Sequence, residues 1–125
     1  MSLSINIQQI TDVAVLQCAG RIVRAQALCL LKEDVTSLSQ LRVIMLDLSK
    51  VKMVDAGGLG VLVFLHEWAS QKGIQLKLVN PSKLVTEILT LTGLTAVLRI
   101  SSVEDVLKIF CNVDGKIQNA GRAVA

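Results

Sequence analysis

Two apolar runs, Val43 to Leu48 and Val61 to Leu65, stand either side of the segment Val54-Asp55-Ala56-Gly57-Gly58-Leu59-Gly60. The first run is short and rich in Val, Ile and Leu, as suits a strand covered on both faces. The second continues through Glu67 and Trp68 and has the length of a helix. The segment between them is therefore expected to be a strand-to-helix joint, which constrains the fold to a sheet with helices laid across it. A helix start carries unpaired backbone N–H groups and partial positive charge, and so suits an anion or a phosphorylated side chain. At this joint Ala56 offers no hydroxyl to phosphorylate.

The rest of the chain alternates in the same way. Leu3, Ile5 and Ile7 alternate with polar residues and Val13 to Cys18 is nearly all apolar, which predicts a hairpin through Thr11-Asp12, with a turn at Gly20. Leu28, Leu31, Val35 and Leu38 recur at helical spacing and predict a helix over 25–38. After the motif helix, Gly73 is the expected stop. Ile74, Leu76 and Leu78 then give a strand, and Asn80-Pro81 reads as a cap with proline in the first turn of a helix over 81–92. A fifth strand is expected over 96–100, and Ser101 with Glu104 forms a capping-box pattern opening a last helix through Phe110. Strands joined through helices are usually parallel, so the expected fold is α/β, a single domain with a mixed sheet in the order β-β-α-β-α-β-α-β-α. The domain is placed at 1–111, with 112–125 as a C-terminal tail.

Composition excludes several functions. The net charge of +3 is spread along the 125 residues and aromatics make up only 2%, so the clustered cations and stacking rings of a nucleic-acid site are missing. Asp47, Lys50, Lys52 and Asp55 interrupt the most apolar region before it reaches the roughly eighteen residues of a membrane span. The start of the chain lacks the pattern of a signal peptide, so a cytoplasmic protein with no direct membrane insertion is expected. Cys18, Cys29 and Cys111 are odd in number and far apart, which fits buried, reduced thiols better than disulfides or a metal site.

The motif resembles that of the STAS domain family, found in bacterial anti-sigma factor antagonists and sulphate transporters, whose signature is Asp-Ser-x-Gly-Leu-Gly. Asp55, Gly58, Leu59 and Gly60 match it, Gly57 fills the variable place, and Ala56 stands where the family usually carries its phosphorylated Ser or Thr. The likeness includes Asp47-Leu48-Ser49, Leu76 to Pro81 and Leu91-Thr92-Gly93-Leu94, and covers roughly 4–110. It implies a small curved sheet with helices packed mainly on one side. It also implies a non-enzymatic regulatory domain whose partner is an anti-sigma factor or a serine kinase of the ATPase type, with other STAS proteins or a second copy as further partners. Loss of the motif hydroxyl resembles a permanently unphosphorylated state. A structural STAS subunit of a lipid or anion transport system is the alternative. The chain departs from the family a second time at Gly20-Arg21-Ile22-Val23, where many members carry an aspartate in place of Val23; Arg21 and Arg24 instead set two cations there.

No catalytic residue, cofactor site or metal site is expected. The motif glycines have no Gly-Lys-Ser/Thr ending, so a nucleotide P-loop is excluded, and Gly58 and Gly60 are expected to let the helix lie close on the sheet. Asp55 is expected to cap that helix. His66, the only histidine, has no nucleophile at a recognisable offset, and Asp47 and Asp55 with Ser49 make a poor ligand set for a cation. On the motif helix, Leu59, Leu62, Leu65 and Ala69 share the side expected to face the sheet. Val61, Phe64 and Trp68 form a second stripe, which either a neighbouring helix covers or a partner does. The candidate partner-binding residues are thus Asp55, Gly57, Gly58, Leu59, Gly60, Val61, Phe64 and Trp68, with Ala56 at the phosphosite position.

Overall fold

The computed structural model describes residues 3–98 and 100–101. Five strands form one sheet in the order β1-β2-β3-β4-β5: β1 (Ser4–Ile10), β2 (Val13–Ile22), β3 (Val43–Val54), β4 (Gln75–Val79) and β5 (Ile100–Ser101). The first pair is antiparallel and the other three are parallel. Three helices connect them, α1 (Arg24–Thr36), α2 (Ala56–Lys72) and α3 (Lys83–Leu91), with a 3₁₀ turn at Leu94–Ala96.

Strand alternation sorts the side chains into two layers. On one face Ala14, Leu16 and Cys18 of β2 and Ile44, Leu46 and Leu48 of β3 join Leu31 and Val35 of α1, Leu62 and Leu65 of α2 and Val85 and Leu89 of α3 in a single core. All three described helices thus pack on that face. The opposite face contributes only Val13, Val43, Met45 and Val79, with Val15 packed beside them. Strand β3 is central and its run Val43–Leu46 is buried without a break, which is why its sequence reads as nearly continuous apolar.

The hairpin turn is held from outside the hairpin. Thr11 takes a left-handed φ of 51°, and the backbone carbonyl of Asp12 accepts from the N–H groups of both Arg42 and Val43, at 2.8 and 3.2 Å. Arg42 Nε also donates to the Asp12 carboxylate at 3.0 Å, and this bond holds the carboxyl below the ordinary aspartate range. The chain entering β3 is therefore fastened to the β1–β2 turn, and this sets the β2–β3 register.

Several boundaries differ from the sequence reading. Gly20 does not end β2; it lies inside the strand at φ 109°, beside a register irregularity, so its positive φ is absorbed as a bulge and the strand runs on to Ile22. Strand β3 likewise continues to Val54, six residues past the apolar run. Asn80 does not cap α3. It sits in the left-handed region at φ 49°, and the cap is Ser82, whose hydroxyl accepts from Val85 N and donates to Val51 O at 2.8 Å. The fifth strand is Ile100–Ser101, and 94–96 is a 3₁₀ turn. Gly73 and Gly93, both left-handed, follow the ends of α2 and α3 as expected. Ser101 is the last residue of β5; the helix expected after it through Phe110, Cys111 and the tail 112–125 lie outside the described residues.

Candidate functional site

The motif is the joint between β3 and α2. Asp55 is extended and caps α2, its carboxylate accepting from Gly58 N at 2.8 Å while its carbonyl accepts from Leu59 N at 2.9 Å. Of the four N–H groups orphaned at a helix start, the Asp55 side chain closes that of Gly58.

The glycines divide into two roles. A Cβ on Gly58 would lie 2.2 Å from the carbonyl oxygen of Ile22 and 2.8 Å from a methyl of Val54. Those residues end β2 and β3 and are paired with each other, so Gly58 lets the first turn of α2 rest on both strand ends. A Cβ on Gly60 would meet nothing within 4 Å, and the residue is exposed. The expected packing role therefore belongs to Gly58 and not to Gly60. Gly57 is intermediate in character: a Cβ there would sit 3.1 Å from Leu28 of α1.

On α2 the buried residues are Gly58, Leu62, Leu65 and Ala69, one face toward the sheet. Leu59 is partly buried against the same core, as are Val61 and Trp68. Phe64 is 42% exposed, and the ammonium of Lys32 on α1 stands 4.5 Å from its ring centroid, within cation–π range. Ala56, Gly57, Gly60 and Phe64, all exposed, with the half-buried Val61 among them, accordingly form an open strip from the start of α2 to its middle, bordered by Leu28 and Lys32. Those two border residues were not singled out from the sequence. Leu28 belongs to the apolar stripe of its helix, whereas only the i, i+4 relation to Leu28 marks Lys32.

The remaining candidates do not converge. Asp47 accepts from Ser49 N at 3.0 Å, an Asx-type turn local to β3. Among the described residues no group of three or more His, Cys, Asp or Glu is placed to hold a metal ion. His66 is partly buried and lies beside Ser70 and Lys77 in a shallow depression, away from the motif. Arg21 is exposed; the side chain of Arg24 lies outside the described set. Cys18 is buried as expected, and burial, with smaller contributions from Asp47 and Asp34, pushes its thiol up to about 12. Cys29 is exposed on the outer side of α1, which corrects the expectation that the thiols are buried. No helix among the described residues is long and apolar enough to cross a membrane.

Fold and joint together define a small α/β domain in which a capped, glycine-seated helix start is held on the ends of two parallel strands. The chain belongs to the STAS domain family, whose sequence model matches residues 4–114. No curated protein matches it. Among solved structures it is similar to the anti-sigma factor antagonist SpoIIAA of Bacillus in its unphosphorylated form, at 14% identity over 87% of this chain and 97% of that one, with a TM-score of 0.71. It is similar at 18% identity to an anti-sigma factor antagonist from Mycobacterium paratuberculosis, over 86% and 93% of the two chains, with a TM-score of 0.73. It also matches part of the longer SLC26A9, at 20% identity over 89% of this chain and 22% of that one, with a TM-score of 0.61.

Proposed function

We propose that this domain is a non-catalytic binding module of the anti-sigma factor antagonist type, working in the cytoplasm in a partner-switching pathway without a phosphoacceptor at its motif. The observation that carries this reading is the open strip on α2. It starts at Ala56, which occupies the first helical position and has no side-chain oxygen, and runs over bare glycine backbone to the exposed ring of Phe64. An exposed aromatic beside backbone that a partner can approach closely is the composition of an interface anchor. In this reading Asp55 and Gly58 fix the helix start, and Gly57, Leu59, Gly60, Val61, Phe64 and Trp68 form or support the contact surface. The partner is an anti-sigma factor or an ATPase-type serine kinase, with other STAS domains or a second copy as further candidates. With alanine at position 56, the domain stays in its binding form regardless of kinase activity.

The test compares wild type with Ala56→Ser and Ala56→Glu against the partner recovered from the native lysate. The glutamate places one negative charge at a helix start, which stabilises the helix by about 0.5 kcal/mol and confronts the partner with a new anion. Affinity is expected to fall while the denaturation midpoint holds. The serine variant should lose affinity only after phosphorylation. A glutamate variant that binds as tightly as wild type removes the motif face from the interface. The second reading, a structural STAS unit within a transport assembly, is favoured by the match to one segment of the longer SLC26A9 chain. Recovery of membrane-transport subunits in place of a kinase would select it.

A further inference from the structure

The C-terminal halves of β2 and β3 and the start of α3 surround an open cavity of about 780 Å³ that the α2 surface does not include. The apolar side chains open to it are those of Ala19 and Leu84, beside the core residue Val51. Leu84 is 41% exposed there, although it stands on a helix that buries Val85 and Leu89 in the core. Arg21, Lys50 and Lys52 line the same cavity, and all three are exposed. No carboxylate among the described residues lines it, and the ion pair found among them, Arg42 with Asp12, uses none of these cations. Ser82 spends its hydroxyl hydrogen on Val51 O, which leaves the Ser4 and Ser49 hydroxyls as further donors at the wall.

Three like charges over an apolar floor suit a ligand with two parts. The geometry points to a binding site for a small amphiphilic anion, an alkyl or acyl chain ending in phosphate or carboxylate, with its head group on Arg21, Lys50 and Lys52 and its chain along Ala19 and Leu84. An inorganic anion would leave most of the cavity empty, since a volume of this size falls in the range of sites for small organic molecules. A neutral lipid-like molecule would leave the three cations without a counter-charge. Cationic groups bind carboxylate or phosphate through charge-assisted hydrogen bonds, and the apolar floor supplies the remaining affinity.

The full chain can be titrated by calorimetry with octyl phosphate, octanoate, inorganic phosphate and octyl glucoside, all below micelle formation, with heteronuclear NMR to locate the site. Either alkyl anion is expected to bind at least about tenfold more tightly than inorganic phosphate or octyl glucoside. The largest shifts should fall on the amides of Val51, Lys52 and Leu84. The double variant Lys50→Gln/Lys52→Gln should weaken alkyl-anion binding by about tenfold or more and flatten its salt dependence, with an unchanged denaturation midpoint. Alkyl anions binding no more tightly than phosphate, undiminished binding by the double variant, or shifts centred elsewhere would overturn the assignment. So would an acidic peptide that binds at these amides when the alkyl anions do not, since the cavity would then be a protein-docking surface.

Discussion

Gly58 and Gly60 look equivalent in the sequence and are opposite in the structure. An alanine at position 58 would force its methyl against the Ile22 carbonyl, a backbone atom that cannot turn aside. Gly58→Ala is expected to cost about 3 kcal/mol in urea denaturation, by overpacking where two strand ends and a helix meet. Gly60→Ala meets no neighbour and replaces a poor helix former, so it should stabilise the domain by up to about 1 kcal/mol. If the proposed surface is correct, that same variant weakens partner binding, which separates its two effects in one protein. The cysteines divide in the same manner. Iodoacetamide at neutral pH should alkylate Cys29 and spare Cys18, as peptide mapping would show. Because burial raises the Cys18 thiol from 9.0 to about 12, the unfolded chain gives up this proton more readily. The stability it contributes is present below pH 9 and is lost as pH rises from there toward 12. None of these contrasts was legible in the residues themselves: each depends on what the fold brings from elsewhere in the chain, a carbonyl for Gly58 and open space for Gly60.

Helices and strands were more legible than their ends. The apolar spacing identified α1 and α2 with their buried faces, because a helix carries its own period. On α3 the spaced Leu84, Ile88 and Leu91 announced a helix but not its inner face, which is Val85 and Leu89. The cap of α3 was not legible, since Ser82 is fixed by a hydrogen bond to Val51, thirty-one residues away, while the more obvious Asn80 is held left-handed. Strand β2 exceeds its apolar run because the Gly20 bulge lets pairing resume beyond it. On α2 the sequence showed a stripe of Val61, Phe64 and Trp68 without showing how it divides. Trp68 packs against the core, whereas Phe64 is open with Lys32 above it. Trp68→Ala should therefore cost about 3 kcal/mol of stability by leaving a gap under α2. Phe64→Ala should cost about 1 kcal/mol or less and weaken partner binding by about 2 kcal/mol. Chemical denaturation beside an affinity measurement on both variants checks the division; a Phe64 variant that loses stability and keeps its affinity would place that ring in the fold and not in the interface.

For the molecule as a whole, the α/β class followed from one rule, that strands linked through helices run parallel, and the structure has three parallel pairs in succession. We propose that the domain ends at Cys111, on the fading of the apolar period after Phe110. A chain ending at Cys111 is then expected to keep the unfolding free energy of the full chain to within about 0.5 kcal/mol, as urea denaturation would show. The strand order carries a consequence for how the chain is made. Every strand pairs with the strand before it, so a polypeptide leaving the ribosome meets each docking edge already built and waits for no later segment to complete it. The first hairpin forms at once, and β3 then has β2 and the Asp12 carbonyl to receive it. Growth proceeds from β1 to β5 in the direction of synthesis: the outer edge of β1 stays open throughout, and the other open edge is at each stage the one that the next strand to emerge will cover.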